Sequence, residues 1–279
     1  MSGDRLTGFT HDGLHFDVRD EGPADGPVVV LLHGFPQTSS SWDGVVPVLH
    51  EAGYRTVAPD QRGYSPGARP RGRSSYTLGK LVDDVVALVE QVGAGPVHLV
   101  GHDWGAAVAW SVASAHPEVV RTLTTVSVPH PQAFVRALRT PSQLAKSWYM
   151  GFFQLPWLPE RAMSSPAVSR RMLGRIGMDR AAHERFRREI VQGGALHGGI
   201  CWYRALPLEN PRGLGRRVTV PTTFVWSDAD GALGRTGAEL TAEYVDAATY
   251  RFEVLEGVSH WIPEQEPRRL AEIVLDRVR

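Results

Sequence analysis

The sequence has little of what would tie it to an oxidising compartment, a nucleic acid or a membrane. Its 279 residues include one cysteine, Cys201, which excludes an internal disulfide framework and a Cys-rich zinc site. Its 30 basic residues balance 30 acidic ones, so the whole molecule has no field for gripping nucleic acid or anionic lipid. The longest apolar runs, such as VVVLL at 28–32, fall far short of the roughly 20 residues a membrane helix needs. The opening MSGDRLTGF has no basic stretch followed by an apolar one, so no signal peptide is expected. No repeat or low-complexity tract stands out. These absences predict a globular, cytoplasmic protein of one large domain or a domain with a long insertion.

What is present is an alternation of short β-rich runs and helical patterns. Up to Val128, strands are expected at 13–20, 28–32, 54–58, 97–100 and 122–128, and helices at 41–52, 77–92 and 104–115. Leu78, Leu81, Val82, Val85, Val89 and Val92 recur at the spacing of one buried helix face. VVVLL and VHLV are apolar throughout, as strands covered on both faces are. A mostly parallel central sheet flanked by helices follows, an α/β fold. The rhythm stops between about Pro129 and Val220, where the chain is helical and aromatic. It resumes with TTFVWSD at 222–228, a helix near 235–245, YRFEVLEG at 250–257 and a last helix from about 265. The expected division is therefore a core of residues 1–128 and 221–279 with a helical cap, 129–220, inserted between two core strands. From Arg136 to Arg217 that cap carries 15 Lys or Arg against 5 Asp or Glu. An Arg-rich solvated surface explains such a run most simply. Packing against an acidic core, or attraction of acidic substrates, are the alternatives.

The segment VHLVGHDWGAAVAW at 97–110 reads as strand, G-x-D-x-G, helix. Gly101 and Gly105 flank Asp103 at the spacing of a nucleophile elbow, a strained turn that lifts one side chain above the sheet edge. Asp103 as a plain helix cap is the simpler reading, but other residues argue against it. HGFPQ at 33–37 directly follows the strand VVVLL, where a loop of this kind supplies a backbone N–H to an oxyanion hole. TTFVWSDAD ends one strand with Asp228 and Asp230, and LEGVSHWIPEQEP ends the next with His260. Nucleophile, acid and histidine thus follow one another in chain order, with Phe35 and Trp104 as the oxyanion-hole amides.

With these motifs the chain resembles the α/β-hydrolase superfamily and, within it, the epoxide hydrolases. The resemblance spans HGFPQTSSSW at 33–42, PDQRGYSPG at 59–67, GHDWGAAVAW at 101–110 and GVSHWIPEQEP at 257–267. It implies the α/β-hydrolase fold and favours Asp230 over Asp228 as the acid that orients His260. A carboxylate nucleophile suits displacement at saturated carbon: it leaves an alkyl ester that a histidine-activated water can hydrolyse, whereas serine would leave a stable ether. Two insertion segments resemble those that carry the epoxide hydrolase tyrosines, SWYMGFFQLP at 147–156 with Tyr149 and CWYRALP at 201–207 with Tyr203. Phenol O–H groups are donors suited to a strained ring oxygen; packing of both rings in the cap core is the structural alternative.

GHDWG also occurs in haloalkane and fluoroacetate dehalogenases. One dehalogenase group carries a halide-binding Asn where this chain has Phe35, and the only Asn here is Asn210; another pairs a cap Trp with the elbow Trp. The fluoroacetate enzymes carry a His-Trp pair where Met150-Gly151 stands here. Cys201 replaces an Asn common before the W-Y-R motif and reads as a small buried filler. Trp148, Phe152, Phe153, Trp157 and Trp202 are candidates for an apolar pocket lining. The expected activity is hydrolysis of a small apolar epoxide by water to a vicinal diol, with no cofactor or metal and with a homodimer possible in principle. A dehalogenase and a non-catalytic ligand binder are the rivals. A serine-type esterase is set aside on the reading that no G-x-S-x-G is present in the chain.

Overall fold

The computed structural model describes residues 5–209 and 216–279; Asn210 and the first four residues of the N-terminal stretch lie outside them. Eight strands form one sheet: β1 Gly8–His11, β2 Leu14–Glu21, β3 Val28–Leu32, β4 Arg55–Pro59, β5 Val97–His102, β6 Val120–Val126, β7 Thr222–Ser227 and β8 Tyr250–Leu255. Their order is β1-β2-β4-β3-β5-β6-β7-β8. The β1–β2 and β2–β4 pairs are antiparallel, and every later pair is parallel.

The two faces of this sheet are buried against different helices. Val30, Leu32, Val57 and Leu99 point into one core with α2 (Leu78–Val92) and α3 (Trp104–Ala115). Their chain neighbours Val29, Leu31, Ala58 and Val100 point into a second core with α1 (Val46–Glu51) and α13 (Pro267–Val278). Alternation along each strand therefore serves two apolar faces, the physical reason why VVVLL shows no polar positions.

Between β6 and β7 the described chain is helical, with seven α-helices, α4 Pro131–Ala137, α5 Pro141–Lys146, α6 Trp148–Phe152, α7 Leu158–Ser164, α8 Pro166–Gly174, α9 Arg180–Phe186 and α10 Leu196–Ala205, a π-helical stretch at Arg187–Gln192 and a 3₁₀ turn at Leu206–Leu208. Proline stands in the first turn of α4, α5, α7 and α8, where its missing N–H costs nothing. After β7 come α11 (Arg235–Leu240) and, after β8, α12 (Ile262–Gln265) leading into α13. Among the described residues no helix is long and apolar enough to cross a membrane.

The differences from expectation have local causes. The helix expected at 41–52 is a 3₁₀ turn at Ser39–Trp42 followed by α1, which begins only at Val46 with Pro47 in its first turn. A proline ring cannot continue a helix that started earlier. The strand β1 was not expected, because four residues with one buried side chain, Phe9, give no pattern to read.

Candidate active site

Asp103 sits between the last residue of β5 and the first of α3, at φ 52° and ψ −121°. That left-handed backbone is costly for a residue with a Cβ, and the surrounding glycines make it possible. A Cβ on Gly101 would lie 2.3 Å from the Gly105 carbonyl oxygen, and one on Gly105 would lie 2.2 Å from the Leu32 carbonyl oxygen. Only glycine lets strand, turn and helix approach this closely. The carboxylate is held on both oxygens. The Phe35 backbone N–H donates to Oδ1 at 2.7 Å, the Trp104 amide contributes a further hydrogen bond, and His260 Nε2 stands 3.3 Å from Oδ2.

His260 and Asp230 come from the loops that leave β8 and β7, whose ends are in register at Ser227 and Leu255. Asp230 is 2% exposed; its Oδ2 accepts from His260 Nδ1 at 2.8 Å, and its Oδ1 accepts from the Ala232 and Leu233 amides at 2.7 and 2.9 Å. Asp228, the other candidate acid, is exposed and accepts from the Gly257 amide instead. The His260 main chain is fixed as well: its carbonyl oxygen accepts from His102 Nε2 at 2.9 Å and from Ser127 Oγ at 3.0 Å. This support was not legible in the sequence, where His102 reads only as part of the elbow motif.

The charges follow from burial and neighbours. Burial alone would lower the His260 imidazole, but Asp230 and Asp103 outweigh it and raise it to about 10. Burial pushes the Asp103 carboxyl up, and the hydrogen bond and charge of His260 overcome this, so the net shift is downward. Site and counter-charge are an ion pair as they stand. His102, desolvated beneath His260, is lowered to about 4 and is neutral.

Tyr149, on α6, and Tyr203, on α10, bring their rings within 5.9 Å of each other between centroids. Both line a cavity of about 360 Å³ together with Asp103 and His260. Both phenols are raised, first by burial and then by the Asp103 charge, so they stay protonated across the physiological range. The Tyr149 hydroxyl has no hydrogen-bond partner among the described residues. Tyr203 is wedged edge-on against Phe35, Phe153 and Trp104. Of the aromatic residues expected around the pocket, Phe153 and Trp148 line this cavity. Trp157 and Trp202 do not. Trp157 is 67% exposed at the start of α7, and Trp202 is 1% exposed, its indole N–H donating to the Arg62 carbonyl oxygen. One helical step, about 100°, turns Trp202 away from the cavity and towards Tyr64 and Arg62, a distinction that composition alone does not make. Phe152 packs against the core beside Phe153. Cys201 is buried with its Sγ 3.5 Å from His197 Nε2, and it does not line this cavity.

Sequence reasoning also passed over one Gly-x-Ser-x-Gly, Gly63–Gly67. It lies in the loop after β4, and its Ser65 is fully buried, donating to the Asp60 carbonyl oxygen and accepting from the Asp17 amide. A hydroxyl so committed, with no histidine on it, is structural. Among the described residues no group of three metal-ligating side chains is clustered as a metal site would be.

The family model of the α/β hydrolase fold matches residues 27–267. The chain is 34% identical to a Bacillus subtilis protein named AB hydrolase superfamily protein YfhM, over 99% of this chain and 98% of that one. It is 35% identical to Homo sapiens epoxide hydrolase 4, over 91% of this chain and 73% of the relative. Among solved structures, Vigna radiata epoxide hydrolase VrEH1 superposes with a TM-score of 0.82 at 29% identity, covering 97% of this chain and 96% of the other. Strand order, matched length and relatives agree: the chain belongs to the α/β-hydrolase superfamily and, within it, to the epoxide hydrolase family.

Proposed function

We propose that the protein hydrolyses an epoxide to a vicinal diol through an ester on Asp103. A carboxylate oxygen of Asp103 attacks one ring carbon, the C–O bond on the far side breaks, and Tyr149 and Tyr203 donate to the departing oxygen. The phenols' raised values suit them as donors that do not ionise beforehand. Esterification then removes the Asp103 charge, one of the causes that hold His260 at about 10. The imidazole becomes the weaker base that Asp230 alone sustains, and the proton it releases balances the one the phenols gave. Neutral His260 takes a proton from water, whose oxygen attacks the ester carbonyl carbon. The Phe35 and Trp104 amides hold the resulting oxyanion. Collapse releases the diol, and Asp103 retains the water's oxygen.

The observation that carries this reading is the meeting of two protonated phenols and one ionised carboxylate on the same cavity wall. In the same proposal, residues 129–220 act as a cap over the core of residues 1–128 and 221–279. The protein works in the cytoplasm, where the buried thiol of Cys201 stays reduced, and a homodimer is compatible with it. The test is one turnover in heavy-oxygen water. Label is expected in the Asp103 carboxylate first and in the diol only from later turnovers; label passing straight into the diol rejects the ester.

A further inference from the structure

The Phe35 amide and the His260 imidazole, both needed in the hydrolytic half of the reaction, lie on the loops that leave β3 and β8. One short element touches both loops and the insertion as well. It is α12, Ile262–Gln265, which starts two residues after His260 and packs against the 3₁₀ turn Ser39–Trp42 that follows the Phe35 loop.

The last two side chains of α12 each reach in two directions. Glu264 Oε2 accepts from Gln37 Nε2 at 2.8 Å, and Oε1 pairs with the Arg185 guanidinium on α9. Gln37 stands two residues after Phe35, and its own amide closes the turn by donating to the Gly34 carbonyl oxygen at 2.9 Å. Gln265 Oε1 accepts from the Ser259 amide at 3.0 Å and from Ser259 Oγ at 2.8 Å. Its Nε2 donates to the Gly177 carbonyl oxygen at 3.1 Å, in the corner between α8 and α9. Ser259 immediately precedes His260, and Gly177 packs so closely on it that a Cβ there would lie 2.2 Å from Ser259 Cβ. Glu264 thus joins the oxyanion loop to α9, and Gln265 joins the histidine loop to the corner before it. The inner side of the histidine loop is held by His102 and Ser127 on the His260 carbonyl oxygen; its outer side has Gln265 and the insertion's corner against it.

We propose that Glu264 and Gln265 are positioning residues, through which the seating of the α8–α9 corner sets the Phe35 amide and His260 for ester hydrolysis. This rests on the ester reading above and adds a dependence of its second step on the insertion. Alkylation draws on Asp103 and on two tyrosines carried by other helices, α6 and α10. Loosening the corner therefore separates the two steps: the ester still forms, and the water that must be activated and the oxyanion that must be held lose their alignment.

The test follows single turnovers by rapid quench and mass spectrometry, with an epoxide that the wild type opens, chosen from styrene oxide and aliphatic epoxides. Gln265→Leu and Arg185→Met, the latter touching neither loop directly, should form the alkyl-enzyme at close to the wild-type rate. Both should hydrolyse it about tenfold more slowly, below the ~100-fold that a ~1 Å misplacement costs. Arg185→Lys keeps the pair with Glu264 and should restore most of the rate. Arg180→Gln, on the same helix but paired with exposed Glu184, should change neither step. General loosening of the fold would slow both steps alike and would not be rescued by lysine. Two steps slowed equally, or hydrolysis unchanged in both variants, overturns the inference. Amide hydrogen exchange of residues 33–38 and 257–262 separates it from the ester reading. If no alkyl-enzyme forms with any epoxide, yet both segments exchange faster in Arg185→Met than in the wild type, the ester reading falls and the coupling of insertion to loops stands. If the alkyl-enzyme forms and is hydrolysed, but neither exchange nor the step rates respond to the variants, the reverse holds.

Discussion

At the scale of single residues, the site works by making one charge depend on another. His260 lies between two carboxylates and is raised to about 10, above its ordinary value of 6.5. A group whose folded value is raised stabilises the fold fully below its unfolded value, and that contribution is lost as pH climbs through the folded one. Thermal melts are therefore expected to fall between about pH 7 and pH 10, and His260→Gln should flatten that limb; an equal fall in the variant would show that other groups cause it. The same coupling separates the two chemical steps. Alkylation needs ionised Asp103, which is lowered, and protonated phenols, which are raised, so its single-turnover rate should be flat across neutral pH. Ester hydrolysis needs neutral His260 and should fail on the acid side. In His260→Gln the first step remains and the second loses its base. The alkyl-enzyme should then accumulate, seen by mass spectrometry as an increment equal to the substrate, and recovery of only unmodified protein would refute the step assignment. Asp103, His260 and the two tyrosines were legible because each sits in a short motif. His102 and Ser127 were not, because a hydrogen bond to a main-chain oxygen leaves no trace in local sequence.

At the scale of elements, the elbow shows what its glycines are for. Gly105→Ala would drive a methyl group to 2.2 Å from the Leu32 carbonyl oxygen, an obstacle made of backbone rather than a movable side chain. Overpacking of this kind costs about 1–3 kcal/mol or more, and because α3 must shift, Asp103 moves with it. Denaturant unfolding should register the loss, and activity should fall further than stability accounts for; a variant as stable and active as the parent would refute the close-packing account. The elements themselves were largely legible. β3 and α3 lie where their apolar or small-residue runs place them, at Val28–Leu32 and Trp104–Ala115. The helix expected at 41–52 is shortened by Pro47, and β1 was missed because its four residues gain their order from pairing with β2. Periodicity reports what a segment buries by itself, not what a neighbour imposes on it.

At the scale of the whole molecule, the helical insertion is fastened to the sheet layer by a few buried and half-buried polar contacts. The Trp202 indole N–H reaches the Arg62 carbonyl oxygen at 2.8 Å, Glu189 accepts from Thr38 and Ser40 at 2.7 Å each, and Arg185 pairs with Glu264. Trp202→Phe removes the donor and leaves a buried carbonyl unpaired, at a cost of about 1–3 kcal/mol. A lower denaturation midpoint is expected, with Tyr203 less well held and kcat/KM reduced; an unchanged midpoint would show that the contact fastens nothing. The sequence by itself determined the layered α/β class and the break in rhythm where the helices are inserted, and it singled out Asp103, Asp230 and His260, which the fold brings together. Those features are written in local period, turn chemistry and short spacings, all of which act over a few residues. Only the tertiary structure decided that Trp202 faces the core, that Ser65 is a structural hydroxyl, and that Glu264 and Gln265 reach both the insertion and the catalytic loops. Each of these depends on which distant segments a side chain meets once strands as far apart in the chain as Leu123 and Thr222 stand side by side, and no local pattern encodes that distance.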